Sequence, residues 1–189
     1  MACLCLSLVG CSDFSEVRDS PMKSGAAYSG RLKADRFARP DGEGTMVYPD
    51  GSRYQGGWAR GVCEGTGHFQ SLDGSDYRGT FKNDRPSKVA GIMRFKNVWY
   101  RGTWDYSAGR GSGTITWPDG QWYCGDWINP ADGPPIPEGD GELHYAEGSV
   151  YAGRFYNALP DGYGSLRNTE GKTVSGIFKH GAFVRKVQE

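Results

Sequence analysis

Three histidines, a glycine-rich run, a series of acidic turns, five cysteines and a set of exposed arginines are the residues of this chain that could do chemistry. His68, His144 and His180 are too scattered in sequence to form a ladder, so a shared catalytic or metal site is not expected and no cofactor is implied. Gly109-Arg110-Gly111-Ser112-Gly113 has the look of a phosphate loop but lacks the Lys-Ser/Thr that follows in one, and no helix signal comes after it to supply a dipole. Asp50, Asp73, Asp119, Glu147 and Glu170 recur beside a glycine, which reads as turn formation rather than calcium ligation. No Ser, His and acid grouping suggests nucleophilic catalysis. The expectation is a non-enzymatic chain. Its candidate contact residues are Arg78, Lys82, Arg101 and Arg154, at polar positions of the strands described below.

Those positions belong to a repeat. Taking Tyr100 as position 1, Gly102, Trp104, Gly111, Gly113, Ile115, Trp117 and Asp119-Gly120 fall at 3, 5, 12, 14, 16, 18 and 20–21, and the next unit starts at Tyr123. Other units start at Tyr28, Tyr54, Tyr77 and Tyr151, and a half unit follows at Val174. The unit at Tyr77 degrades, with Asp84 at the turn glycine and Gly91, Met93 and Phe95 shifted by one; the unit at Tyr123 carries an insertion within Asn129–Pro137. Apolar or Gly residues at 1, 3, 5 and at 14, 16, 18, with polar residues between, give period-two alternation in two short runs, hence a β-hairpin per unit. The strand glycines are expected to make room for a neighbouring Tyr or Trp.

Composition agrees. Gly is 30 of 189 residues and Trp, Tyr and Phe add 6, 11 and 8, which favours strands and tight turns and is too aromatic for disorder. Lys plus Arg and Asp plus Glu are 22 each, so no basic excess points to nucleic acid. Cys63 and Cys124 are three units apart, which predicts free thiols. The expected fold is all-β: one elongated antiparallel meander of about thirteen strands, whose aromatic face is covered by curling, a short helix or a second protomer, so that a homodimer is one way to complete it.

The pattern Tyr-x-Gly-x-Trp/Phe, then Gly-x-Gly-x-Leu/Ile/Met-x-Tyr/Trp, then Asp-Gly, resembles the MORN repeat (membrane occupation and recognition nexus) over about Tyr28 to Gly181. The resemblance implies a scaffold for protein–protein contact, dimerisation or phospholipid association, with an unidentified protein partner. The alternative is a glycan- or cell-wall-binding array using Trp58, Trp104, Trp117 and Trp127 to stack on sugar rings.

At the N-terminus, the apolar run over residues 1–10 leads into Leu8-Val9-Gly10-Cys11-Ser12, which resembles a bacterial lipobox, although no Lys or Arg precedes Cys11. The expectation is a truncated lipoprotein signal over 1–10, lipid attachment at Cys11, a flexible tether over 11–27 and the repeat array over 28–189. It implies a membrane-anchored lipoprotein on the periplasmic or cell-surface side; without a signal, the chain is a cytoplasmic array.

Overall fold

The computed structural model describes residues 13–130 and 133–187. Fifteen strands follow one another: β1 (Phe14–Pro21), β2 (Ala27–Lys33), β3 (Pro40–Val47), β4 (Arg53–Ala59), β5 (Val62–Gln70), β6 (Asp76–Lys82), β7 (Arg85–Phe95), β8 (Val98–Asp105), β9 (Arg110–Thr116), β10 (Trp122–Ile128), β11 (Ile136–His144), β12 (Val150–Tyr156), β13 (Leu159–Arg167), β14 (Thr173–Lys179) and β15 (Ala182–Arg185). They form one sheet, each strand antiparallel to its sequence neighbours, in strictly sequential order. The all-β meander of hairpins is as the sequence predicts, two strands longer than expected.

Both additions are at the ends. Phe14–Pro21, read from sequence as tether, is β1, paired with β2 through Val17↔Gly30 and broken by a bulge before Ser20. The few apolar residues there are the ones used: Val17 and Met22 pack on the core, and the Arg31 guanidinium lies 4.1 Å over the Phe14 ring. At the other end β15 pairs with β14, and Phe183 meets the Phe178 ring edge-on at 5.4 Å.

The core explains the glycines. Gly30, Gly44, Gly56, Gly67 and Gly79 lie opposite one another across β2 to β6. The position-1 tyrosines fold flat onto such ladders. A Cβ on Gly44, Gly67, Gly141 or Gly164 would lie within 2.4 Å of an atom of Tyr28, Tyr54, Tyr123 or Tyr151 respectively. Each of these hydroxyls donates to the backbone carbonyl three residues on, at Arg31, Gly57, Asp126 and Arg154, over 2.6–3.2 Å. The bond satisfies a group that would otherwise be buried unpaired. Burial pushes the phenol of Tyr28, and that of Tyr151, up to about 12. Position-5 rings fill the spaces between tyrosines edge-on, as Trp58 does at 5.6 Å from Tyr28 and 5.2 Å from Tyr54. Among the described residues no helix or second sheet covers this face. The aromatic side chains and the sheet bury one another.

Turns on the two long rims use different devices. On one rim, Asp50, Asp73 and Asp119 accept a hydrogen bond from the backbone N–H two residues on, at 2.9–3.0 Å, and the glycine between takes a left-handed φ, as at Gly51 (81°) and Gly120 (91°). These acids are turn-formers. On the other rim, Asp41, Glu64, Glu138 and Asp161 each accept from a turn N–H of the next hairpin, 19 residues later, at Arg60, Asn83, Asn157 and His180. The two central hairpins break this second series: Ser87 and Arg110 stand in the acidic position, and their backbone carbonyls accept instead, from the Tyr106 backbone N–H and the Asn129 side chain.

Cys63 and Cys124 are free, as expected. Cys63 is buried beside Tyr48, and burial pushes its thiol up to about 12, whereas Cys124 is exposed on β10. Iodoacetamide is expected to alkylate Cys124 in the folded chain and Cys63 only after unfolding; peptide mass spectrometry with and without urea checks this. Equal labelling of both in the native state would show that β5 does not hold Cys63 as described.

Candidate functional site

The centre of the array is where the sheet departs from its own repeat. In a regular hairpin two extra residues bulge on the second strand: Gly56 faces Gly67, but Trp58 faces Cys63. Between β6 and β7 the bulge has one extra residue, and Gly79 faces Val89. Gly91, one place late in its unit, therefore faces Tyr77, and the register steps by two residues. The glycine ladder of β2–β6 runs on into Val89, Trp104, Gly111 and Trp127, while a second ladder starts at Gly91 and continues through Gly102, Gly113 and Gly125 to Gly176.

Core packing changes with it. Tyr77 stacks on Phe69 and Phe81 at 5.1 and 6.1 Å instead of lying on glycines. Trp127 reaches back over Gly111, Gly113 and Gly102, and a Cβ at Gly111 would lie 2.1 Å from its Nε1. Trp58 Nε1 donates to the Gly44 carbonyl at 3.2 Å, but the Nε1 groups of Trp104 and Trp127 are buried without a partner in the structure. An unpaired buried donor costs about 1–3 kcal/mol, so the step is paid for in stability.

On the opposite, polar face the strands beside the step carry depressions. One, of about 620 Å³, has Ala90 and Thr103 at its floor and Arg78, Lys88, Asp105 and Arg110 around it. A second, of about 630 Å³, is lined by Ile92, Trp99, Arg101, Thr114 and Thr116. A third, of about 570 Å³, opens at the adjoining rim between the β6–β7 and β8–β9 turns, with Lys82 and Arg85 in its wall. Asp105 is the one carboxylate lining the three. It takes Lys88 at 3.0 Å, and the Ser107 hydroxyl and the Lys88 ammonium hold its carboxyl down to about 2. Asp76, on the same face, takes His68 at 2.8 Å and Gln70 at 2.9 Å. Among the described residues Arg78, Arg101 and Arg110 form no side-chain ion pair within 4.0 Å. A chain neutral overall has gathered unpaired cations here.

Trp99 closes one end. Its ring edge lies over Gly74, where a Cβ would be 2.7 Å away, and the Arg94 guanidinium sits 5.2 Å from the ring centroid. Arg94 is itself held by the Asp73 carbonyl at 3.2 Å and Asn97 Oδ1 at 3.3 Å. The indole is 39 % exposed yet fixed from behind. Two strands away in the same cross-strand row, Trp122 stacks on His144 at 3.6 Å.

Of the arginines and lysine singled out in the sequence, Arg78, Lys82 and Arg101 converge on this face. Arg154 does not; it lies on β12 in a further depression with Glu138 and Asp161, which Arg110 also lines. Cys11 lies outside the described residues. The histidines are not brought together: each meets its own carboxylate, His68 with Asp76, His144 with Glu142 and His180 with Asp161. Arg110–Gly113 is part of β9, so the glycine-rich run is strand, not phosphate loop. Sequence reading missed Trp99 and Trp122, which sit just before each unit's first tyrosine; the signal was that other units carry Ala27, Arg53, Asp76, Val150 or Thr173 there.

The MORN repeat family matches the chain at residues 38–53, 54–76, 100–122 and 151–173. This is a MORN-repeat protein. The MORN units at Tyr77 and Tyr123 lie outside the matched residues; they are the ones with the register step and the Asn129–Pro137 insertion. No curated protein matches the chain. Among solved structures, the TCP domain of SAS-4 (dCPAP) of Drosophila melanogaster, in complex with a proline-rich motif of Ana2 (dSTIL), aligns at 16 % identity over 74 % of this chain and 86 % of that one, with a TM-score of 0.29. The MORN array is a repeat scaffold of the kind that serves protein or membrane contact.

Proposed function

We propose that this MORN array is a non-enzymatic scaffold whose polar face at β6–β9 receives a protein partner, and that it is tethered to a bacterial membrane by a lipid on Cys11. The observation that carries the first part is Arg78, Arg101 and Arg110, without side-chain ion pairs among the described residues, around adjoining depressions beside the irregular hairpin. The depressions elsewhere carry their own carboxylates, Glu138 and Asp161 in one and Glu16 in another, whereas these carry a single carboxylate. The lipobox-like Leu8-Val9-Gly10-Cys11 supports the second part, and a multiply acylated cysteine anchors stably where one chain does not.

The stacking alternative loses three of its four indoles, because Trp58, Trp104 and Trp127 are 5 %, 2 % and 1 % exposed. Trp117 is partly buried against the same core.

The tests are separate. A photo-crosslinker at Thr103 is expected to capture a protein in cells, and the Arg78→Glu/Arg101→Glu chain to capture much less; no capture above background by the wild type sinks the scaffold reading. With the gene's upstream region included, Cys11→Ala is expected to move the chain from the membrane to the soluble fraction. Unchanged membrane association would remove the anchor and leave the scaffold.

A further inference from the structure

The partner's chemistry can be read from the same face, an inference that rests on the scaffold reading above. We infer that the β6–β9 face takes an extended acidic protein segment that ends in an apolar side chain. The depressions line up along the strands: Lys88, Ala90 and Ile92 alternate on β7, beside Asp105, Thr103, Arg101 and Trp99 on β8. From Asp105 to Trp99 is about 20 Å at the rise of a strand, room for about six extended residues. The valley is polarised. Lys82, Arg85, Lys88, Arg78 and Arg110 gather toward one rim, Arg101 stands midway, and Ile92 and Trp99 make an apolar end.

Charge complementarity chooses the occupant. The one carboxylate lining these depressions is already matched by Lys88, Arg110 also faces Glu138 and Asp161, and Asp76 lies near Arg78 without an ion pair within 4.0 Å, so Arg101 and Arg78 are the cations that call for carboxylates from outside. A backed, partly exposed indole beside Ile92 is a seat for an aliphatic or aromatic side chain. A lipid surface fits less well. It is flat, whereas these cations line hollows, and the rim nearest Trp99 carries the acidic turns Asp50, Asp73, Asp119 and Glu147, which repel anionic headgroups. Small Ala90 at the floor leaves the space for a backbone to lie close.

Fluorescence anisotropy with the full chain tests this. The probe is a fluorescein-labelled peptide with a run of Glu followed by Leu-Trp. It is expected to bind with an affinity that falls as salt rises. Arg101→Glu and Arg78→Glu are each expected to weaken it by about tenfold or more, Trp99→Ala to weaken it, and Arg154→Glu to leave it unchanged. Ala90→Leu, which fills the floor without altering charge, is expected to weaken it also, with circular dichroism confirming that each variant is folded. No binding of the Glu peptide, equal binding of its Lys counterpart, or equal loss in Arg154→Glu overturns the inference. So does phosphatidylserine vesicle binding that depends on Arg78 and Arg101 while the peptide fails. If the Thr103 crosslinker still captures a partner in those cases, the scaffold reading stands and only the acidic segment is wrong.

Discussion

Gly141→Val is expected to destabilise the chain by about 3 kcal/mol, the upper end of overpacking costs. Three atoms of the Tyr123 side chain, two ring carbons and the hydroxyl oxygen, lie 2.4, 2.6 and 2.4 Å from where the new Cβ would stand. Tyr123 is fully buried and its hydroxyl is bonded to the Asp126 carbonyl at 2.6 Å, so the ring cannot swing away without losing that bond. Gly141 has no left-handed φ among the described glycines, which isolates the steric effect from backbone strain. For a chain of this size the loss corresponds to a fall in Tm of about 10 °C. The matched control is Gly120→Ala. There no atom lies within 4 Å of the added Cβ but φ is 91°, so only the strain of a left-handed L-residue is expected, about 1 kcal/mol. Thermal denaturation of both variants decides the point. Equal melting shifts would mean that the tyrosines do not lie on the glycine ladder.

Trp127→Ala is the second large effect, expected at about 3–5 kcal/mol. The ring is 1 % exposed, lies over three glycines of β8 and β9, and packs 5.6 Å from Trp104. It covers both glycine ladders at once, Gly111 of one and Gly102 and Gly113 of the other, so its loss should loosen β8–β10 before the distal strands; in a repeat array each unit leans only on its neighbours. Hydrogen exchange is expected to show protection falling first in β8, β9 and β10. Trp127→Phe is expected to cost clearly less, because it keeps most of the ring and removes an Nε1 that is buried without a partner. Alanine and phenylalanine variants of equal stability, or a uniform loss of protection from β2 to β14, would show that Trp127 does not hold β8–β10 together.

Much of this architecture was legible because each rule acts within one unit. Period-two alternation placed Tyr100 and Trp104 on the core face and Arg101 on the other, and that needs only the pleat. Asp119-Gly120 marked a turn because glycine tolerates its φ. The strand glycines were read correctly as space for aromatic rings. The terminal strand β1 was not legible: Phe14 and Val17 in a polar stretch look like tether until β2 offers an edge for them to pair with.

The site was half legible. Arg78, Lys82 and Arg101 could be named as exposed cations, but not that they gather while Arg154 stands apart. Trp99 and Trp122 carry no repeat signal, because the position before each unit's tyrosine holds a different residue in nearly every unit.

The sequence by itself determined the hairpin, its repeat length, its two faces and its meander, since these follow from side-chain alternation and turn chemistry within some two dozen residues. Only the tertiary structure decided the register. The one-place delay of Gly91 is visible in the sequence, but whether it is absorbed in a loop or passed to every later strand depends on how many residues bulge opposite Phe81. One extra residue there instead of two runs one glycine ladder into Val89 and starts another at Gly91, both of which Trp127 covers, and the basic, Trp99-ended valley lies on the far face of the same strands.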